Sequence, residues 1–135
     1  MKHAYYFKRK TVYKLEGEIV SIVDVKESNT LTQLDPWMAR VVLFADGQHT
    51  ISQLIQLMTG LYPEGAPDNL IETIESVITR LADSDVIELT IRSSLLPYYL
   101  RLPIDEQDPK KATEIMINDG FIQPAKQPTF NNYSS

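Results

Sequence analysis

Two histidines, His3 and His49, and 18 acidic residues are the side chains in this 135-residue chain that could move a proton or hold a metal. A general base needs an orienting carboxylate and a nucleophile within hydrogen-bond reach. Asp46 stands close to His49 in Asp46-Gly47-Gln48-His49-Thr50. Asp-Gly is a tight-turn pair, and that role accounts for both residues. The acids Asp83 and Asp85, and the group Asp105, Glu106 and Asp108, fall at helix ends or in loops and read as solvated. There is no cysteine, which excludes disulfides and thiolate metal sites. Paired metal-ligating histidines, a glycine-rich phosphate loop and a nucleophile elbow are all missing from the sequence. The expectation is a protein that is not an enzyme and uses no metal or cofactor.

Binding is the remaining chemistry, and charge narrows the partner. The net charge is −5, whereas phosphate neutralisation needs a basic face. Lys8-Arg9-Lys10 is the one basic cluster and reads as a solvated segment. No apolar run approaches the ~18 residues of a membrane span, and no signal-peptide pattern opens the chain. The reading is a cytoplasmic protein with neither a membrane nor a nucleic acid as partner.

The elements that must position a binding site are clearly punctuated. Segments 11–15, 19–25 and 30–34 read as strands, separated by turns at Glu16-Gly17-Glu18 and Lys26-Glu27-Ser28-Asn29. Asp35-Pro36 opens a helix that Asp46-Gly47 ends. Thr50-Ile51-Ser52-Gln53 is a capping box for a second helix, which Pro63-Glu64-Gly65 stops. A third helix starts at Pro67 or Asp68 and runs to about Asp83, with Leu70, Ile74, Val77 and Leu81 as its core seam. Val86–Arg92 alternates, with Ile87, Leu89 and Ile91 facing in. Tyr98–Leu102 reads as a partner strand. Asp108-Pro109 starts a short helix over about 108–119, and 123–135 reads as a disordered polar tail. The predicted fold class is α+β: a winged helix-turn-helix with an N-terminal three-stranded antiparallel β-sheet (β-β-β-α-α-α-β) and a C-terminal extension. Residues 1–92 form the domain and 93–135 the extension.

A helix-turn-helix suggests DNA, read by the third helix. That helix carries Asp68, Glu72, Glu75 and Asp83 against Arg80, which would repel phosphate. A winged-helix DNA-binding transcription regulator is therefore the alternative. The preceding strand points elsewhere. Ser28–Leu34 contains no charge and no proline, although natural edge strands are usually blunted by one or the other. At an edge it is a template for an extended peptide to add as a further strand. Proline at Thr32 would then remove a ladder donor. Ile71, Glu75 and Ile78, on the flank of the third helix, could wall such a groove; equally, Ile71 and Ile78 could widen the core stripe.

The pattern Leu34-Asp35, Ala39, Val42, Leu43, Asp46-Gly47-x-x-Thr50-Ile51-x-x-Leu54, Leu61-Tyr62-Pro63 and Val86-Ile87 resembles the PqqD-like family. These are the precursor-peptide recognition elements of pathways to ribosomally synthesised, post-translationally modified peptides (RiPPs). The match covers roughly 11–92 and is clearest over 34–87. The family often has glycine where this chain has Asp85, which tolerates a left-handed backbone. The resemblance implies a non-catalytic peptide chaperone that takes a precursor's leader as an added strand and presents it to a modifying enzyme. It implies two partners, the leader peptide and a peptide-modifying enzyme, and places binding on the third strand against the third helix. Carried onto this chain, the strand positions are Asn29, Thr30, Leu31, Thr32 and Gln33. The helical wheel supplies Ile71, Glu75 and Ile78. A scaffold subunit that docks a modifying enzyme is a further reading.

Overall fold

Alternation at the N-terminus builds the first strand of the computed structural model, which describes residues 1–124. In Tyr6–Arg9 (β1), Phe7 and Arg9 point inward and Tyr6 and Lys8 outward. Val12–Glu16 (β2), Ile19–Asp24 (β3) and Thr30–Gln33 (β4) follow, then Pro36–Phe44 (α1), Asp46–Thr50 (β5), Ile51–Thr59 (α2), Leu70–Asp83 (α3) and Ile87–Thr90 (β6). The C-terminal part holds Tyr98–Arg101 (α4), a 3-10 turn at Ile104–Glu106, and Pro109–Asn118 (α5). The fold is α+β, with two three-stranded antiparallel sheets and five α-helices among the described residues. One sheet runs β5-β1-β6 and the other β2-β3-β4.

The helix starts form where side chains replace missing backbone partners. Asp35 accepts the Met38 N–H at 2.9 Å, with Pro36 in the first turn. Thr50 and Gln53 close the capping box, the Thr50 N–H reaching Gln53 Oε1 at 2.9 Å and the Gln53 N–H reaching Thr50 Oγ1 at 3.2 Å. Asp85 takes φ +61 at the turn out of α3.

Strands β2 and β3 of the second sheet are covered on both faces. Tyr13, Val20 and Leu34 belong to the main core with Phe7, α1, α2, α3 and β6. Val12 and Val23, pointing the other way, pack with Leu96, Tyr99, Leu100, Ala112 and Met116 of the C-terminal part. Arg9 joins the two cores. Its guanidinium donates to the carbonyls of Val42, Leu43 and Ala45 at the end of α1, and to those of Leu100 and Arg101 at the end of α4, over 2.7–3.4 Å. It also lies over the Tyr13 ring, 4.7 Å from the centroid. Burial pushes the Arg9 pKa down. The expectation of a solvated Lys8-Arg9-Lys10 segment fails at its middle residue, since Arg9 is 4% exposed. The strand alternation sends it inward with Phe7.

Three other expectations give way for local reasons. The Asp46-Gly47 turn is the start of β5, paired antiparallel with β1. Gly47 sits at φ +79 and a Cβ there would lie 2.4 Å from Ser94 O, so only glycine lets that loop approach. Asp46 serves the bend by accepting the Gln48 N–H at 2.8 Å. The last strand stops at Thr90, opposite Tyr6 where β1 begins, so Ile91 has no strand beside it and is 77% exposed. Tyr98–Leu102 is mostly helical, turning after Pro97, whose carbonyl accepts the Leu100 N–H at 3.0 Å. The order therefore contains β1, β5 and α4 beyond the expected seven elements. No helix among the described residues is long and apolar enough to cross a membrane. Of the expected disordered tail, 125–135 lies outside the described residues.

Candidate functional site

The β3–β4 turn sets the position of the candidate strand. The Lys26 N–H bonds Asp24 Oδ1 at 3.0 Å, Ser28 and Asn29 take φ +55 and +58, and Thr30 Oγ1 donates to Glu27 O. Asn29 is therefore a turn residue rather than a strand position. It takes a left-handed backbone, as asparagine does more readily than most. Thr30, Leu31, Thr32 and Gln33 form β4, and all four are exposed. β4 pairs with β3 alone among the described residues, so its other side is a free edge.

The direction of the backbone groups on that edge follows from one hydrogen bond. Leu34 donates its N–H to Val20 O at 2.9 Å. Paired and outward groups alternate along an antiparallel strand, so Thr32, opposite Ile22, also turns toward β3. Leu31 and Gln33 turn N–H and C=O outward. They carry the free ladder groups, and proline at Thr32 would break the sheet rather than the free edge.

The three helix positions separate. Ile78 is fully buried in the main core, so it cannot wall a groove. Helix α3 packs between α1, α2 and β6, which makes its apolar stripe wide enough to include Ile78. Glu75 Oε2 is 2.8 Å from His3 Nε2, which ties the N-terminal segment to α3 and occupies the carboxylate. Ile71 is 46% exposed. What faces the strand is instead the C-terminal end of α3. An open cleft of about 560 Å³ has Ile22 and Thr32 on its strand side and Ser84 and Asp85 on its helix side. Lys10 lines it and pairs with Asp85 at 3.2 Å. Thr11 also lines it, and its buried Oγ1 has no hydrogen-bond partner among the described residues. A signal for Asp85 was present in the sequence, at the point where α3 must turn back into a strand. Nothing in the sequence marked Lys10 or Thr11.

His49 offers a separate constellation. Its Nδ1 lies 2.9 Å from Asp46 Oδ1, and its ring stacks on Phe44 at 4.0 Å. These contacts hold the imidazole against the end of α1, with no nucleophile bonded to it among the described residues. Among the described residues, no three His, Cys, Asp or Glu side chains come together in a way that could hold a metal ion.

No protein-family model, no curated protein and no solved structure matches the chain.

Proposed function

We propose that this protein is a non-catalytic peptide-binding chaperone of the PqqD-like kind. It takes the leader of a ribosomally made precursor as a strand on β4 and presents the remainder to a modifying enzyme. On this reading α2 and α3 form a helix-turn-helix, with β6 as part of its wing. The observation that carries the proposal is the free edge of β4: uncharged, proline-free, exposed at all four residues, and with the ladder groups of Leu31 and Gln33 turned outward. Backbone pairing supplies affinity in strand addition, and side-chain pockets supply register. Two clefts touch this strand, one between Thr32 and Ser84-Asp85 and one at Gln33 against Ile19, Arg40 and Leu43.

The test is a titration of the chain with any short precursor-like peptide encoded beside it, followed by calorimetry and by amide NMR. Binding at about micromolar strength or better is expected, near −8 kcal/mol, with Leu31 and Gln33 amide resonances among those that shift. Binding that leaves both amides unmoved, or an absence of binding, counts against the proposal.

A further inference from the structure

A single exposed apolar side chain is ordinary on a protein surface, whereas several around one concavity mark a contact. The cleft at the α1 end of β4 gathers two. Ile19, where β3 starts, is 50% exposed, and Leu43 on α1 is 42% exposed. Both line an open cleft of about 500 Å³, together with the buried Leu34 and Ala39. Helical spacing puts Ala39, Arg40 and Leu43 on one side of α1. The turn at Gly17, φ +62, brings the β2–β3 hairpin tip back opposite them. A space of this size holds one or two side chains.

Charge says what fits there. Arg40 on the helix wall and Glu18 on the hairpin wall are the charged residues that line the cleft. Neither forms an ion pair among the described residues. Glu18 stands at an exposed turn and keeps its hydration. Arg40 lies mid-helix beside Leu43, and its planar guanidinium is weakly hydrated and matches a carboxylate with paired donors. Position says that the occupant is a peptide. Gln33 also lines the cleft, and it is the last residue of β4 with N–H and C=O turned outward. A strand paired there delivers its next side chains to the cleft.

We propose that this cleft is a specificity pocket for a peptide segment in which an aliphatic side chain stands next to a carboxylate. The aliphatic chain lies between Ile19 and Leu43, and the carboxylate meets Arg40. That the segment belongs to the same peptide that pairs with β4 rests on the function proposed above; the preference of the cleft does not.

Three blocked dipeptides test the preference: acetyl-Leu-Glu-amide, acetyl-Leu-Lys-amide and acetyl-Gly-Glu-amide. Each is titrated into the full chain by NMR to about 10 mM, since ligands this small bind at about millimolar strength. The Leu-Glu probe should shift the Ile19 and Leu43 methyls and the Arg40 Nε–H saturably, and bind about threefold or more tighter than Leu-Lys. Gly-Glu should leave the methyls unmoved. Arg40→Gln should remove the preference for acid while the methyl shifts remain, and Glu18→Gln should widen it. No saturable shift at Ile19 and Leu43 would overturn the pocket. Equal or tighter binding of Leu-Lys by the parent, or a preference that survives Arg40→Gln, would overturn the role of Arg40. Titration with the precursor-like peptide then separates the two proposals. Weaker binding by Arg40→Glu than by the parent supports a shared peptide, and equal binding overturns it while leaving the function standing. If that peptide binds neither chain but the dipeptide preference holds, the function fails and the pocket stands.

Discussion

Arg9 shows how much one side chain carries. Five carbonyl oxygens at the ends of α1 and α4 accept from it, and no carboxylate is paired with it among the described residues. Each buried acceptor left unmet costs roughly 1–3 kcal/mol. Arg9→Met keeps the stem and removes the donors, so urea denaturation should show a loss of about 3 kcal/mol or more. Arg9→Lys should recover little, because an ammonium cannot reach two helix ends with a planar fork. Tyr99 sets a pH limit. Burial, together with its 3.1 Å hydrogen bond to Asp119, pushes its pKa up to about 12 from an ordinary 10.0. The fold thus favours the neutral phenol, and the unfolded chain loses that proton first as pH rises. The contribution is complete below pH 10 and drains away between 10 and 12. Tyr13, also raised by burial, adds to the same decline. Tyr99→Phe should make the alkaline fall in melting temperature shallower without abolishing it, as read by thermal melts from pH 8 to 12.

The alternation of β4 makes a sharp comparison possible. Gln33→Pro deletes an outward N–H, the arrangement in which edge strands tolerate proline. It should weaken peptide binding about tenfold or more while stability changes little. Thr32→Pro deletes a bond to β3, so its main effect should be lower stability. Calorimetry and urea denaturation of the two variants separate these outcomes, and the reverse pattern would mean the ladder runs the other way. Much of this was legible beforehand. The alternation at 11–15, the β-branched run at 19–25 that is apolar on both faces, the turn residues between them, and the caps Asp35, Thr50 and Asp108 are local signals, and the structure has β2, β3, α1, α2 and α5 where they point. β1 and β5 were hidden because their partners are far apart in sequence and their residues mislead: Lys8 and Arg9 look solvated, and Asp46-Gly47 looks like a turn. The helix side of the site was obscured for a similar reason. A helical wheel marks which residues share a face, yet it does not say that α3 is wrapped on several sides, burying Ile78, or that His3 comes to meet Glu75.

At the scale of the whole molecule, the C-terminal part bears on the site although it lies on the other face of its sheet. The face of β2 and β3 that carries Val12 and Val23 is covered by Leu96, Tyr99, Leu100 and Met116, so β3, the strand that holds β4 in place, is supported from both sides. The Arg9 guanidinium spans the two cores, and Gln107 fastens the C-terminal turns internally through the carbonyls of Tyr99 and Leu102 at 2.9 and 2.7 Å. Two cores that share one sheet and one buried cation should fail together. Trp37 lies at the rim of the main core and Tyr99 inside the second, which gives each core its own reporter. Urea unfolding followed by Trp37 fluorescence and by the assigned ring resonances of Tyr99 should trace one superimposable transition, the mark of a two-state unit. In Arg9→Met the link is cut, so the tyrosine transition should move to lower urea and separate from the tryptophan one. Two separate transitions in the parent chain would instead make the C-terminal part an independent appendage, and β4 would then owe its position to the main core alone.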